Sequence, residues 1–322
     1  MMTKKIGIGL LLVLATIAGI ALLKKLRGKT TARYTIGILQ TASHPALDAC
    51  RQGFTKTLTE KLNGDVHFIV QNAQGSIPQA HAIAEQFYAN KQLNGFFTIA
   101  TPATQALASL EKERPIFIAA VTDPHSLGLI SPTTNVCGTS DMINVPELID
   151  LLTTLTPSTK KVGILYTAGE TNSLVAAQKI HNELTHRHIT ALDFTINNES
   201  DVQATVESAC KKVDALVTPT DNTVASTISL IASITCNHKI PLIVSFEAAA
   251  QAGALAAQGV DYTVSGNQTA EIAYQVLVEG KKPYDLSIEH VKGEQLFINK
   301  ETLNALNLSL PESLQNRALL IS

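Results

Sequence analysis

The feature that most constrains this chain is an alternation that runs twice. From Tyr34 onward, short apolar runs are followed by a polar or Pro-containing turn and then by an amphipathic stretch. The pattern predicts strands over 34–39, 66–70, 96–100 and 116–120, with helices over 45–62, 78–91 and 102–110 between them. It resumes with a helix over 146–155, strands over 162–166, 189–194, 215–218 and 242–245, and helices over 173–186, 201–211 and 222–237. Strands that alternate with helices build βαβ units and parallel sheets. The run 116–121 is apolar at every position, which suits a strand covered by helices on both faces.

The stretch 131–144, rich in Pro, Thr, Asn and Gly, separates the two series and predicts a passage between lobes. A strand over 254–258, a helix over 267–280, a strand over 295–299 and a short helix over 300–306 follow. Elements added after two complete series imply that the chain crosses back. The expected fold is therefore α/β, with two doubly wound parallel-sheet lobes joined by a multi-strand hinge. Residues 34–138 and 264–283 would form lobe 1, and 139–263 and 284–322 lobe 2. Two domains are natural for 322 residues.

The N-terminus reads differently. Ile6 to Leu23 carry no charge and follow Lys4 and Lys5. About 20 apolar residues span a bilayer, so residues 6–23 predict an N-terminal transmembrane anchor, with 24–33 as its linker. A cleaved signal is the alternative, although Gly19-Ile20-Ala21 makes a poor cleavage site, and no nearby Cys permits lipidation. Basic residues flank the run on both sides, more of them after it. By the positive-inside rule alone the body would stay in the cytoplasm, so the topology stays open.

Residues 1–33 hold seven Lys and Arg and no acid, leaving 18 bases against 27 acids in the remainder. An acidic body repels phosphate backbones and argues against nucleic acid. The four cysteines form no Cys-x-x-Cys pair, so neither a zinc site nor a redox motif is indicated. Nothing in the sequence calls for a metal or a cofactor.

Chemistry should lie where the strands end, because ligands of open α/β sheets bind beyond the carboxyl ends of the strands. Ser43 and His44 follow the first strand, Thr101 and Ala103 the third, and Thr122 and Asp123 the fourth. In the second series, Glu170, Asn172 and Ser173 follow the first strand, Thr220, Asp221 and Asn222 the third, and Glu247 the fourth. Each of these turns can be explained as ordinary helix capping. Six on one edge, however, would line a cleft with hydroxyls, amides and carboxylates suited to a small zwitterion. Carboxylates and helix N-termini answer opposite ends of such a ligand. His44 could serve as a general base, but no nucleophile or hydrolase motif accompanies it, and no residue is assigned a catalytic role.

These turns resemble a family. His-Pro-Ala-Leu-Asp-Ala at 44–49, Gln-Asn-Ala-Gln-Gly at 71–75, Ile-Ala-Thr-Pro-Ala at 99–103 and Val-Thr-Asp-Pro at 121–124 carry the resemblance in the first series. Gly-Thr-Ser-Asp-Met at 138–142, Gly-Glu-x-Asn-Ser at 169–173, Pro-Thr-Asp-Asn-Thr-Val at 219–224, Gly-Ala-Leu-Ala at 253–256 and Gly-Val-Asp-Tyr at 259–262 continue it. The chain is similar to ABC transporter substrate-binding proteins of the tryptophan- and tyrosine-binding type, which have the type I periplasmic-binding-protein fold. The resemblance spans roughly 34–300. It implies hinge closure over an amino acid outside the inner membrane, delivery to a permease, and a separate ATPase subunit.

Thr101, Thr122, Asp141, Glu170, Asn172, Ser173, Asp221, Asn222 and Tyr262 stand at the family's cleft motifs. On this reading Thr101, the Ala103 N–H and Thr122 take a carboxylate, Asp141 or Asp221 takes an ammonium, and Glu247 and Tyr262 close the cleft. Ser43 replaces the acidic residue that commonly precedes His-Pro in the family, and His125, Ser126 and Leu127 replace small residues. A single lobe pair suffices for binding, so a monomer is expected. The rival readings are a membrane-anchored sensor and an α/β enzyme acting on a small metabolite.

Overall fold

The apolar runs lie in two sheets of a computed structural model that describes residues 32–321. The expected anchor over 6–23 lies outside the described residues, among which no helix is long and apolar enough to cross a membrane. The first sheet contains β1 (Tyr34–Gln40), β2 (Val66–Asn72), β3 (Gly95–Ile99), β4 (Ile116–Val121) and β5 (Val136–Ser140). The second contains β6 (Lys161–Thr167), β7 (Thr190–Ile196), β8 (Ala215–Val217), β9 (Leu242–Phe246) and β10 (Ala256–Val260). Three late strands, β11 (Glu289–His290), β12 (Gln295–Asn299) and β13 (Ala318–Ile321), complete them.

The first sheet runs β2-β1-β3-β4-β5-β11 and is parallel throughout. The second runs β7-β6-β8-β9-β10-β12-β13, with β12 antiparallel to β10 and the other pairs parallel. Each sheet thus repeats the order second-first-third-fourth-fifth. In this winding the crossovers from the first strand go in opposite directions, which opens a crevice beyond the ends of the first and third strands.

The uniform hydrophobicity of the central strands has the expected cause. In β3, Phe97 faces the Pro45–Lys61 helix and stacks on Phe54 with ring centroids 3.9 Å apart. Its neighbour Phe96 points to the opposite face, toward Phe87 of the Ile77–Ala89 helix. Both rings are fully buried, so neither face of the strand can be polar.

The chain passes between the sheets three times: after β5, after β10, and between His290 and Gln295. The passage expected at 284 falls later, because Glu289–His290 adds to the first sheet beside β5. The stretch expected as a mere linker contains β5. Its Gly138 has φ 145°, and a Cβ there would lie 2.1 Å from the Ile118 carbonyl oxygen, so only glycine admits this pairing. The expected 222–237 helix breaks at Thr227 into Asn222–Ser226 and Ile228–Asn237.

The Tyr262–Leu277 helix follows β10 of the second sheet yet packs on the first sheet and on the Pro45–Lys61 helix. Hydroxyls hold it there: Thr139 Oγ1 lies 2.8 Å from Ser265 Oγ and 3.0 Å from Thr269 Oγ1. Two glycines allow the helices to approach. A Cβ at Gly266 would stand 2.0 Å from the Cys50 carbonyl oxygen, and one at Gly53 2.5 Å from that of Thr263. Gly266→Ala should therefore overpack this contact and cost about 1–3 kcal/mol. A urea-unfolding midpoint equal to that of the wild type would contradict the packing described.

Candidate functional site

The crevices of the two sheets meet around an enclosed cavity. It is tight as it stands: its free volume is about 10 Å³, about what one water molecule needs and far below the roughly 300–1,000 Å³ usual for small-molecule pockets, so a ligand enters only if the two sheets move apart. Its wall comes from strand ends on both sheets: His44 after β1, Ala100 after β3, Ala120 in β4, Asn172 after β6, Thr220 to Asn222 after β8, and Phe246 at the end of β9. Asp141 and Tyr262, which begin the first two passages between the sheets, complete the polar side. Leu47, Ala46 and Ala225 add apolar surface.

Buried polar atoms normally find a partner. Among the described residues, both ring nitrogens of His44, Thr101 Oγ1, Asn172 Oδ1 and Thr218 Oγ1 are buried without one. These residues follow β1, β3, β6 and β8, which are the first and third strands of each sheet. The unsatisfied groups thus collect at the two crevices. Two non-glycine residues with positive φ also line the cavity. Ala100 has φ 75° and Ala120 φ 57°, a region that non-glycine residues enter rarely and at a cost concentrated at functional sites.

The acidic groups differ in what holds them. Asp141 accepts from the Thr122 hydroxyl at 3.1 Å and from the Tyr262 phenol at 2.7 Å. Burial pushes its carboxyl above the usual range, against the pull of these two bonds. The Tyr262 hydroxyl is itself pushed well above the usual tyrosine range by burial and by Asp141, so it stays a donor. Asp221 is committed to structure. It accepts from Thr167 N at 2.6 Å, from Thr167 Oγ1 at 2.9 Å, and from Val224 N at 2.8 Å as the N-cap of the Asn222–Ser226 helix. Glu170 accepts from the backbone N–H groups of Asn222 and Thr223 and from the side chains of Asn172, Asn222 and Thr223. Burial, then the charge of Asp221, raises its carboxyl pKa.

Of the residues expected at the site, His44, Asp141, Asn172, Thr220, Asp221, Asn222 and Tyr262 line the cavity. Glu170 and Ser173 sit behind Asn172 and Asn222, and Ser173 lies within hydrogen-bonding reach of the Thr220 carbonyl. Thr101 keeps a free buried hydroxyl beside Ala100.

Other residues expected at the site are engaged elsewhere in this structure. The Ala103 N–H, expected to receive a carboxylate, donates to Thr41 Oγ1 at 3.1 Å. Thr122 spends its hydroxyl on Asp141. Asp123 pairs with Lys179 at 3.3 Å and caps Ser126, away from the cavity. Ser43 is exposed, bonds Asp48, and lines a separate groove of about 170 Å³. Glu247 bonds Gln251 in another groove, of about 180 Å³. The small apolar positions Ala100, Ala120 and Ala225 were not expected at the site, because an alanine carries no chemical signal in the sequence.

His44 gives a test of the buried wall. Burial lowers its pKa from 6.5 to about 4, with the Asn222 side chain and Asp48 opposing the shift. The unfolded chain therefore binds a proton near pH 6.5 that the folded chain refuses until about pH 4. His44 thus costs stability as pH falls through that window. Thermal melts from pH 7 to pH 4 should show the wild type losing more stability than His44→Gln. Parallel curves would place His44 in water.

Comparison with known proteins bears on the same geometry. The chain matches the family described as ABC transporter substrate binding protein over residues 35–320. A tyrosine-binding protein of Clostridioides difficile (strain R20291) is 35% identical over 280 residues, 85% of this chain and 81% of that protein. The structure of an ABC domain in complex with L-Trp from Streptococcus pneumonia is 31% identical and matches with a TM-score of 0.85, covering 90% of this chain and 99% of that one. The ligand-free, open structure of a substrate-binding protein with adhesive properties from Clostridium difficile is 33% identical at the same coverage, 90% and 99%, but gives a TM-score of 0.67. At nearly equal identity, the chain superposes more closely on the L-Trp complex than on the open structure.

Proposed function

The chain belongs to the ABC transporter substrate-binding protein family, and from that premise we propose that its cargo is an aromatic amino acid. One observation carries the reading. Unpartnered buried donors and acceptors gather at both crevices, around a cavity that has a polar side and an apolar one. A zwitterion with a flat hydrophobic side chain answers both halves of that wall. The relatives named for tyrosine and solved with L-Trp point the same way.

In this reading Asp141 takes the ammonium, because a buried carboxylate holds its charge most readily beside a cation. The carboxylate goes to the Thr101 hydroxyl and the N-terminus of the Thr101–Leu110 helix, whose N-cap Ala100 supplies no capping side chain. The helix dipole favours an anion there, although Pro102 has no N–H to offer and the Ala103 N–H is held by Thr41. The side chain lies against Leu47, Ala225 and Phe246. The first lobe comprises β1–β5, β11 and the Tyr262–Leu277 helix, and the second β6–β10, β12 and β13. The protein works outside the cytoplasm with a permease and an ATPase subunit, as a monomer. Residues 6–23 tether it to the inner membrane or direct its export. The family is one of ligand-binding transport components, which supports binding over turnover.

Titration calorimetry against Tyr, Trp, Phe, Leu and a neutral sugar tests the proposal. At least one aromatic amino acid should bind, and Leu and the sugar should bind far more weakly. Asp141→Asn should weaken binding by about ten- to hundredfold, the loss of a hydrogen bond to a charged group. An unchanged Kd would take the ammonium away from Asp141, and no binding by any aromatic amino acid would sink the cargo assignment.

A further inference from the structure

We propose that Glu170 is a positioning residue that fixes the polarity of the cavity wall by holding the Asn222 amide with its oxygen toward the cavity. The inference rests on the reading that the cavity takes a ligand with an ammonium group. A primary amide has two ends of nearly the same shape, one a double donor and the other an acceptor. Which end faces a ligand is decided by what binds the other. Glu170 is buried between the first turn of the Thr171–His186 helix, where it is the N-cap, and the Asn222–Ser226 helix. An ionised carboxylate can only accept. It therefore selects the donor ends of both neighbouring amides, with Asn222 Nδ2 and Asn172 Nδ2 both donating to Glu170 Oε2.

The two amides are not held equally. Asn172 Nδ2 also donates to the Thr220 carbonyl at 2.9 Å, so its orientation survives without Glu170. Its Oδ1 is then left buried and unpartnered on the cavity wall. Asn222 directs its Nδ2 to Glu170 alone. Glu170 thus turns a second acceptor, Asn222 Oδ1, away from itself and toward His44 on the cavity wall. Two amide oxygens and the Asp141 carboxylate make a wall that accepts from a cation.

Protonation offers the natural control. A neutral Glu170 gains a donor and can hold Asn222 by its oxygen, turning Nδ2 toward the ligand. The groups around Glu170 are Asp221, whose negative charge favours protonation, and His44 on the cavity side, which is held neutral by burial. Asp141 lies on the same cavity wall, and Lys179, further along the Thr171–His186 helix, is paired with Asp123. Both burial and Asp221 raise the Glu170 pKa, so the switch falls at higher pH than for an ordinary glutamate.

The test compares Tyr with 3-(4-hydroxyphenyl)propionate, which lacks the ammonium, on the wild type and on Glu170→Gln. The amide introduced by the substitution can donate to the Asn222 oxygen, so Tyr should bind at least tenfold more weakly while the ammonium-free analogue holds its affinity or gains. Wild-type affinity for Tyr should fall as pH drops below neutral, relative to that for the analogue, and the variant should show a smaller divergence, that of Asp141 alone. Equal losses for both ligands would mean a merely structural role and overturn the proposal. The ligand-free protein gives a separate arm. In ¹⁵N spectra the Asn222 side-chain NH₂ signals should titrate with pH and move in Glu170→Gln. If they do neither, the proposal fails. If the wild type binds no aromatic amino acid, the cargo assignment fails, and these signals still decide the orientation.

Discussion

The hydrogen bond from the Tyr262 phenol to Asp141, 2.7 Å long, joins the two points on which the architecture turns. Asp141 follows β5, where the chain leaves the first sheet, and Tyr262 opens the helix that brings it back. Both residues are buried and both line the cavity. The bond therefore ties the passages together at the place where a ligand would sit. It also explains why an acid is tolerated in so apolar a setting. Two donors stabilise the carboxylate while burial works against its charge, and a ligand cation would settle that balance. Fold and site are thus the same constraint seen from two sides.

Among the described residues, few hydrogen bonds or ion pairs cross the cleft between the two sheets. Lys179 pairs with Asp123 across it at 3.3 Å, and Gln105 Nε2 reaches Thr171 Oγ1 at 3.4 Å. Lys179 is largely exposed, and exposed pairs contribute about 0–1 kcal/mol, less in salt. Closure must then draw on contacts made inside the cavity, since a ligand shifts such an equilibrium only by its differential affinity for the two states. The unpartnered atoms of His44, Thr101, Asn172 and Thr218 are suited to this, because each forgoes a hydrogen bond until something enters.

The βα rhythm was legible because both faces of a parallel sheet are covered, which makes strands such as β4 apolar from end to end. The strands that escaped notice have other causes for being strands. β5 is Val-Cys-Gly-Thr-Ser, and its polar half is buried because Ser265 and Thr269, more than a hundred residues later, supply matching hydroxyls. β11 is two residues long and exists only as an addition to β5. The turns that carry the cavity were legible as polar residues after strands. What each residue does was not, because capping and ligand binding use the same side chains. Asp221 proved to be bound to Thr167, and Asp123 to a lysine 56 positions away. Ala100 and Ala120 matter through backbone conformation, which the alanine code does not announce.

The most direct test of the account is a crystal structure of the protein with L-tyrosine or L-tryptophan. The ligand should lie between the two sheets, its ammonium within hydrogen-bonding distance of Asp141 and Asn172 Oδ1 and its ring against Leu47 and Phe246. A ligand seated in the groove beside Met142 and Lys179, or one bound with its carboxylate facing Asp141, would contradict it.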